Sequence, residues 1–257
     1  MNKIFEKDQE IEQINNTRVY GQKTDIDVNN AKSFWTERAK VESINSVLLG
    51  TDLQKDLNIL RNQKELDLLK SILPKKKFNI LDVGCGIGRW AKNLFPEYVN
   101  TYTGIDLTED FIKRCKKEFK DNSLLSFYQM SATDIDPLKL RNDYDLVLVT
   151  GVCMYINDDL LNNVFIALEK VISKDALIYI QESVSTSDTR LTLKEFYSES
   201  LESNYNAIYR TILEYESVFA KYKYLRNIHT KDYLLSKEMG WKRTETNAYY
   251  WLMSGEE

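Results

Sequence analysis

Gly84, Gly86 and Gly88 fall within five residues, directly after the apolar run Asn79–Val83. The chain has nine glycines in 257 residues, so a third of them stand at one turn. Glycine accepts a positive φ and lets a ligand come close to the main chain. Downstream, the segment TYTGID ends in Asp106, 18 residues beyond Gly88. A carboxylate at the end of a second strand can accept hydrogen bonds from both hydroxyls of a ribose. Enzymes that bind dinucleotides use such an acid too, so Asp106 alone leaves the ligand open. The dinucleotide fingerprint G-x-G-x-x-G requires glycine at 89, where this chain has Arg89. Cys85, between two of the glycines, reads as a small turn residue and not as a nucleophile.

Groups able to move a proton are few. His229 is the single histidine. Glu182 follows the run ALIYIQ, at the end where a parallel sheet faces its ligand. These two are the candidates for a general base. The segment 182–228 also carries Arg190, Tyr205, Tyr209 and Arg210. Tyr205 and Tyr209 read as one helical turn apart on a shared face. Tyrosine supplies a flat wall with a polar tip, and arginine supplies a fork for phosphate or carboxylate. Together they suggest a small, anionic or phosphate-bearing partner. Cys85, Cys115 and Cys153 are far apart and no Cys/His cluster exists, so no metal site is expected.

The elements that must position these residues follow from periodicity. AKSFWTERAKVESINSVLL (31–49) reads as a helix that brings Phe34, Trp35 and Arg38 together. A second helix is expected from Thr51, with Thr51 and Gln54 at capping-box spacing, Leu57, Leu60, Leu66, Leu69 and Ile72 on its apolar face, and Pro74 at its end. From residue 78 strands alternate with helices: FNILDV, TYTGID, LLSFYQM, YDLVLVTG and ALIYIQ are strands, and 108–119 and 157–171 are helices. This order implies a doubly wound, mostly parallel sheet, and unbroken apolar strands imply burial on both faces. A helical insert over 182–228 comes next, then a helix TKDYLLSKEM stopped by Gly240, then WKRTET and AYYWLM as a closing antiparallel pair. The sheet then holds seven strands. Residues 1–74 form an N-terminal helical segment over the ligand, and 75–257 the core.

On LDVGCGIG, GIDLT, SATDID and DLVLVTGVCMYI, covering about residues 78–156, the sequence resembles the class I S-adenosylmethionine-dependent methyltransferases. The resemblance implies a Rossmann-like fold and S-adenosylmethionine as cofactor. It implies that Gly84, Cys85, Gly86 and Gly88 shape the turn around the methionine and ribose parts. Asp106 would bind the ribose hydroxyls, Leu107 would lie on the adenine, and Ala132 and Thr133 would border its edge. Ser131 stands where the family often has an acid, which passes the adenine amino contact to Asp134. Thr150, Gly151 and Val152 would lie under the methionine part, with Tyr155 near the transferred methyl. FWTERA resembles segments that cover the cofactor, with Arg38 on its carboxylate and Trp35 over it. A looser resemblance extends to bacterial methyltransferases that act on sugars and surface-polysaccharide precursors.

Other classes are disfavoured. A net charge of −4 argues against a broad nucleic-acid footprint. No apolar run is long enough to span a bilayer, no signal-peptide core opens the chain, and sparse cysteines fit a reduced cytoplasm. No feature calls for a protein partner. The expected reaction is direct methyl transfer to an O or N atom of a small molecule. A nicotinamide-dependent oxidoreductase and a non-catalytic cofactor-binding protein of the same fold remain as alternatives.

Overall fold

The computed structural model describes residues 17–41, 47, 55–198, 203–236 and 245–255. Strand β1 (Arg18–Tyr20) is followed by helix α1 (Val28–Ala39), whose N-cap Asp27 accepts from the Asn29 N–H at 2.8 Å. Helix α2 spans Lys55–Ile72. The alternating half consists of β2 (Phe78–Val83), α3 (Arg89–Leu94), β3 (Val99–Asp106), α4 (Glu109–Glu118), β4 (Leu125–Gln129), β5 (Tyr144–Thr150), α5 (Asp158–Leu168) and β6 (Ile172–Ser185). After it come β7 (Leu191–Ser198), β8 (Ser203–Tyr209), α6 (Ile212–Phe219), β9 (Asn227–Tyr233) and β10 (Thr246–Ser254).

A seven-stranded sheet runs in the order β4-β3-β2-β5-β6-β10-β9, with β10 antiparallel to both neighbours and strands β2 to β6 parallel. The chain order reverses beside β2, and the loops after β2 and β5 meet there. In such a sheet the crevice at the reversal is where ligands bind. Alternate residues of β5 serve opposite faces: Leu146 and Leu148 join one core with Leu69, Trp90 and Tyr179, and Val147 and Val149 join the other with Val164, Phe165 and Trp251. That explains why DLVLV is apolar throughout.

A separate three-stranded sheet, β1-β7-β8, stands beside the main one. Its apolar face, with Leu191, Leu193, Phe196 and Tyr205, packs against Phe34 of α1. Asn157, at the start of α5, holds the segment before α1 through both backbone groups of Ile26, at 2.9 and 3.1 Å.

Several expectations are corrected. The 182–228 insert is not helical overall: it holds the end of β6, the β7–β8 hairpin and one helix, α6. Tyr205 and Tyr209 lie on β8, where residues four apart also share a face. The expected helix from Thr230 is an edge strand, because β9 pairs with β10 from Tyr249↔Tyr233 to Ser254↔Asn227. AYYWLM pairs with β9 and β6. Leu60 is exposed and takes no part in the core. The capping pair Thr51 and Gln54, most of 42–49, Gly240 and residues 241–244 lie outside the described residues.

Candidate functional site

The glycine turn closes on itself. Gly84 and Cys85 donate their N–H groups to the Ile105 carbonyl at 2.8 and 3.0 Å, Gly86 to Asp106 Oδ2 at 2.9 Å, and Gly88 to the Cys85 carbonyl at 2.9 Å. None of these four N–H groups is left for a ligand's phosphate. The glycines serve close approach instead. Gly84 has φ +76°, and a Cβ there would stand 2.4 Å from Val152 Cγ2, so the turns after β2 and β5 touch. Around Gly151, at φ +67°, no atom of the described residues beyond its chain neighbours lies within 4 Å of where its Cβ would stand. Cys85 turns its thiol into the core towards Gly104 and Cys115, and burial pushes that thiol well up, so it offers the site only its main chain. Arg89 backs the turn: it donates to Glu65 at 2.8 Å and Asn62 at 3.0 Å and lies over the Trp90 ring.

Asp106 sits at the tip of β3. Its Oδ2 holds Gly86 and its Oδ1 accepts the Thr108 N–H at 2.8 Å. A carboxylate has about four lone-pair sites, so one on each oxygen remains. Two vicinal hydroxyls of a ribose fit that pair. Burial raises the Asp106 pKa, against the lowering effect of its Thr108 and Gly86 bonds. Beyond it, Leu107, Met130, Ser131 and Asp134 border a cavity of about 490 Å³. Ala132 and Thr133 form a 3-10 turn capped by Ser131, whose Oγ accepts the Thr133 N–H at 3.2 Å. This end suits a flat adenine.

On the other side of the crevice, Thr150 accepts from Trp90 Nε1 at 3.2 Å. Tyr155 stands in the 3-10 turn Cys153–Tyr155 and meets the Trp35 ring edge-on, 5.4 Å between centroids. Its hydroxyl is shut from solvent and has no hydrogen-bond partner among the described residues. An unpartnered buried hydroxyl costs about 1–3 kcal/mol, so a group that completes it is favoured there. Tyr205 and Tyr209 hydrogen-bond each other at 2.8 Å, and Phe34 lies 5.9 Å from the Tyr205 ring. Arg38, on the same helix as Trp35, is half-buried, which lowers its pKa, and lies in the electrostatic reach of Tyr155.

Four expected roles are not compatible with these positions. Arg210 is 1% exposed and donates to Asp158, the Cys153 carbonyl and the Ile156 carbonyl, so its fork is filled from within. Arg190 is likewise taken up by Glu214 and Asp158, both at 2.8 Å. Glu182 is fully buried and accepts the N–H groups of Val152, Cys153 and Met154, so it faces the turn and not an acceptor. Burial pushes its carboxyl up to about 7. His229 is exposed on edge strand β9 and bonds Ser254. Strands β5, β6 and β10 stand between it and β2, which carries the glycine turn. Sequence reasoning missed Asn157 and Arg18, whose guanidinium lies over the Phe196 ring at 5.1 Å.

Sheet order, glycine turn and strand-end acid together define a Rossmann-like methyltransferase fold. Residues 80–175, from β2 into β6, match the model of the methyltransferase domain family. A phosphoethanolamine N-methyltransferase of Triticum aestivum is 28% identical over 154 residues, which are 59% of this chain and 30% of that protein. A malonyl-[acyl-carrier protein] O-methyltransferase of Ilyobacter polytropus is 23% identical over 183 residues, 63% of this chain and 67% of the relative. The chain thus spans less than a third of the wheat relative's length. Among solved structures, a SAM-dependent methyltransferase of Leishmania major aligns with TM-score 0.62 and 18% identity, covering 88% of this chain and 82% of that one. The Haemonchus contortus phosphoethanolamine N-methyltransferase 1, in complex with phosphoethanolamine and S-adenosylhomocysteine, aligns with TM-score 0.63 and 18% identity over 90% of this chain and 50% of that one. These structural likenesses concern the fold.

Proposed function

We propose that this chain transfers a methyl group from S-adenosylmethionine to a nitrogen or oxygen of a small molecule. The observation that carries the reading is the contact between the glycine turn and the Tyr155 turn, with two free Asp106 lone pairs on one side and the partnerless Tyr155 hydroxyl on the other. The cofactor supplies an electrophilic methyl on a sulfonium. Asp106 holds the ribose hydroxyls, Leu107, Ala132, Thr133 and Asp134 border the adenine, and Thr150, Gly151 and Val152 lie under the methionine part. Trp35 and Arg38 cover it from α1. Tyr155 accepts or donates a hydrogen bond beside the transferred methyl, and Tyr205 and Tyr209 wall the acceptor. Most of the rate gain then comes from alignment and exclusion of water.

Glu182 and His229 are not placed to take the acceptor's proton. A neutral amine or an already ionised oxygen needs no strong base, so the reading favours those over an unactivated alcohol. An anionic acceptor would not be met by Arg190 or Arg210, whose forks are filled from within the protein. The narrower idea of a sugar or surface-polysaccharide precursor, handled in the cytoplasm, rests on sequence resemblance alone. A nicotinamide cofactor is disfavoured because the turn keeps the N–H groups a pyrophosphate would need. The test is calorimetry with S-adenosylmethionine, S-adenosylhomocysteine and NADH, then transfer of labelled methyl to phosphoethanolamine, simple amines and sugars. Heat with both sulfur ligands and label on an amine is the expected result. No heat with either sulfur ligand overturns the reading, and binding without label on any acceptor leaves a cofactor-binding protein.

A further inference from the structure

Two buried charged side chains hold the turn after β5, and the transfer chemistry leaves both unused. Glu182, from β6, receives three consecutive N–H groups: Val152 at 2.9 Å and Cys153 at 2.8 Å on Oε1, and Met154 at 3.3 Å on Oε2. Arg210, just after β8, gives two of its arms to carbonyls of the same turn, Cys153 at 2.8 Å and Ile156 at 2.7 Å. Its remaining reach goes to Asp158 at the start of α5, 2.8 Å from Nε. Asp158 also receives Arg190, and Arg190 reaches Glu214, the capping-box residue of α6. Five main-chain groups of residues 152–156 are thus fixed by two side chains, one from β6 and one from the residue that follows β8.

Charges buried in this way are poor stabilisers, because desolvation offsets most of their attraction. They are good at defining where a backbone lies, since each bond is short and directional. A turn this tight leaves N–H and C=O groups that must find partners, and here those partners are charged side chains. Within the turn, Tyr155 is the residue that points at Trp35 and carries the partnerless hydroxyl. We propose that Arg210 and Glu182 are positioning residues that set the Tyr155 hydroxyl at the transfer point. The proposal rests on the reading that Tyr155 stands beside the transferred methyl.

The probes are S-adenosylhomocysteine and sinefungin, an analogue that carries an ammonium where the methylsulfonium stands. A hydroxyl at the transfer point accepts a hydrogen bond from that ammonium, so the wild type binds sinefungin the more tightly. Tyr155→Phe should lower this preference about tenfold or more, the range of one hydrogen bond to a charged group. Arg210→Lys keeps the charge but cannot bridge two carbonyls and a carboxylate with a planar fork. It should lower the preference by a like factor and leave S-adenosylhomocysteine affinity within about threefold. Combining the two substitutions should add nothing, because both act through one hydroxyl, whereas a merely structural Arg210 would add its own loss. If Arg210→Lys does not fold, Asp158→Ala, which removes the carboxylate that aligns Arg210, takes its place with the same expected loss. An unchanged preference in the folded Arg210 or Asp158 variant, or losses that add, overturns the proposal. An unchanged preference in Tyr155→Phe removes Tyr155 from the transfer point, and the proposal falls with that reading.

Discussion

Replacing Asp106 gives the most direct measure of the cofactor half. Two of the carboxylate's four lone-pair sites are taken, by Gly86 at 2.9 Å and Thr108 at 2.8 Å. The two that remain match the two hydroxyls of one ribose. Hydrogen bonds to a charged group contribute about 1.5–3 kcal/mol each. Asp106→Ala removes both, about 3–6 kcal/mol, and at about 1.4 kcal/mol per decade the dissociation constant should rise a hundredfold or more. Asp106→Asn keeps one acceptor oxygen and orphans one backbone N–H, so its loss should be roughly half in energy, about tenfold or more. The assay is titration calorimetry with S-adenosylhomocysteine on chains shown to be folded by far-ultraviolet dichroism. A 2′,3′-dideoxy analogue sharpens it: the wild type should lose affinity for the analogue, and Asp106→Ala should lose no more. A shift below about threefold in a folded Asp106→Ala would refute the argument, as would equal discrimination against the analogue in both chains.

Two further outcomes concern stability. Asp82 is fully buried, accepts from the Tyr102 hydroxyl, and has its carboxyl pushed from 3.8 up to about 7 by burial. The folded chain therefore keeps this proton where the unfolded chain has released it, and stability from this group is lost as pH rises from about 4 to about 7. Between pH 5 and pH 8 wild type should lose about 2–3 kcal/mol relative to Asp82→Asn, measured by urea unfolding, and parallel pH profiles would count against it. Gly84→Ala adds a Cβ 2.4 Å from Val152 Cγ2 at φ +76° and should cost about 2–4 kcal/mol. Val152→Ala in the same chain should return about half, since it removes the overlap but not the backbone strain; a double variant no better than the single would show that Val152 is not the obstacle.

The fold was legible where its determinants are local. Each strand of the alternating half is a short apolar run, and both faces of β5 are buried, so DLVLV announced itself. Glycine spacing and the Asp106 strand end are local too. The insert was misread because a spacing of four puts Tyr205 and Tyr209 on one face of a helix and of a strand alike. Arg190 and Arg210 looked like anion receptors because their acids are remote in sequence: Asp158 lies 52 residues from Arg210, and Glu214 lies 24 from Arg190. Edge pairing of β9 with β10 is equally non-local, and it overruled a stretch with helical propensity. A hydroxyl left without a partner, as at Tyr155, has no sequence signature at all.

Because the Gly84, Cys85, Gly86 and Gly88 N–H groups are all bonded within the protein, on the proposed reading these groups would meet the methionine half by contour and not by donated bonds. A contour of this kind distinguishes poorly between a ligand that still bears its methyl and one that has lost it. The spent molecule should compete with the fresh one on nearly equal terms, so turnover in a sealed reaction would slow long before the supply ran out. Sustained activity would then depend on something else clearing the by-product, and a coupled hydrolase would be a practical necessity in any kinetic work. The same indifference is useful to a chemist: congeners bearing a larger alkyl group on sulfur would be limited by room near Gly151, not by the turn.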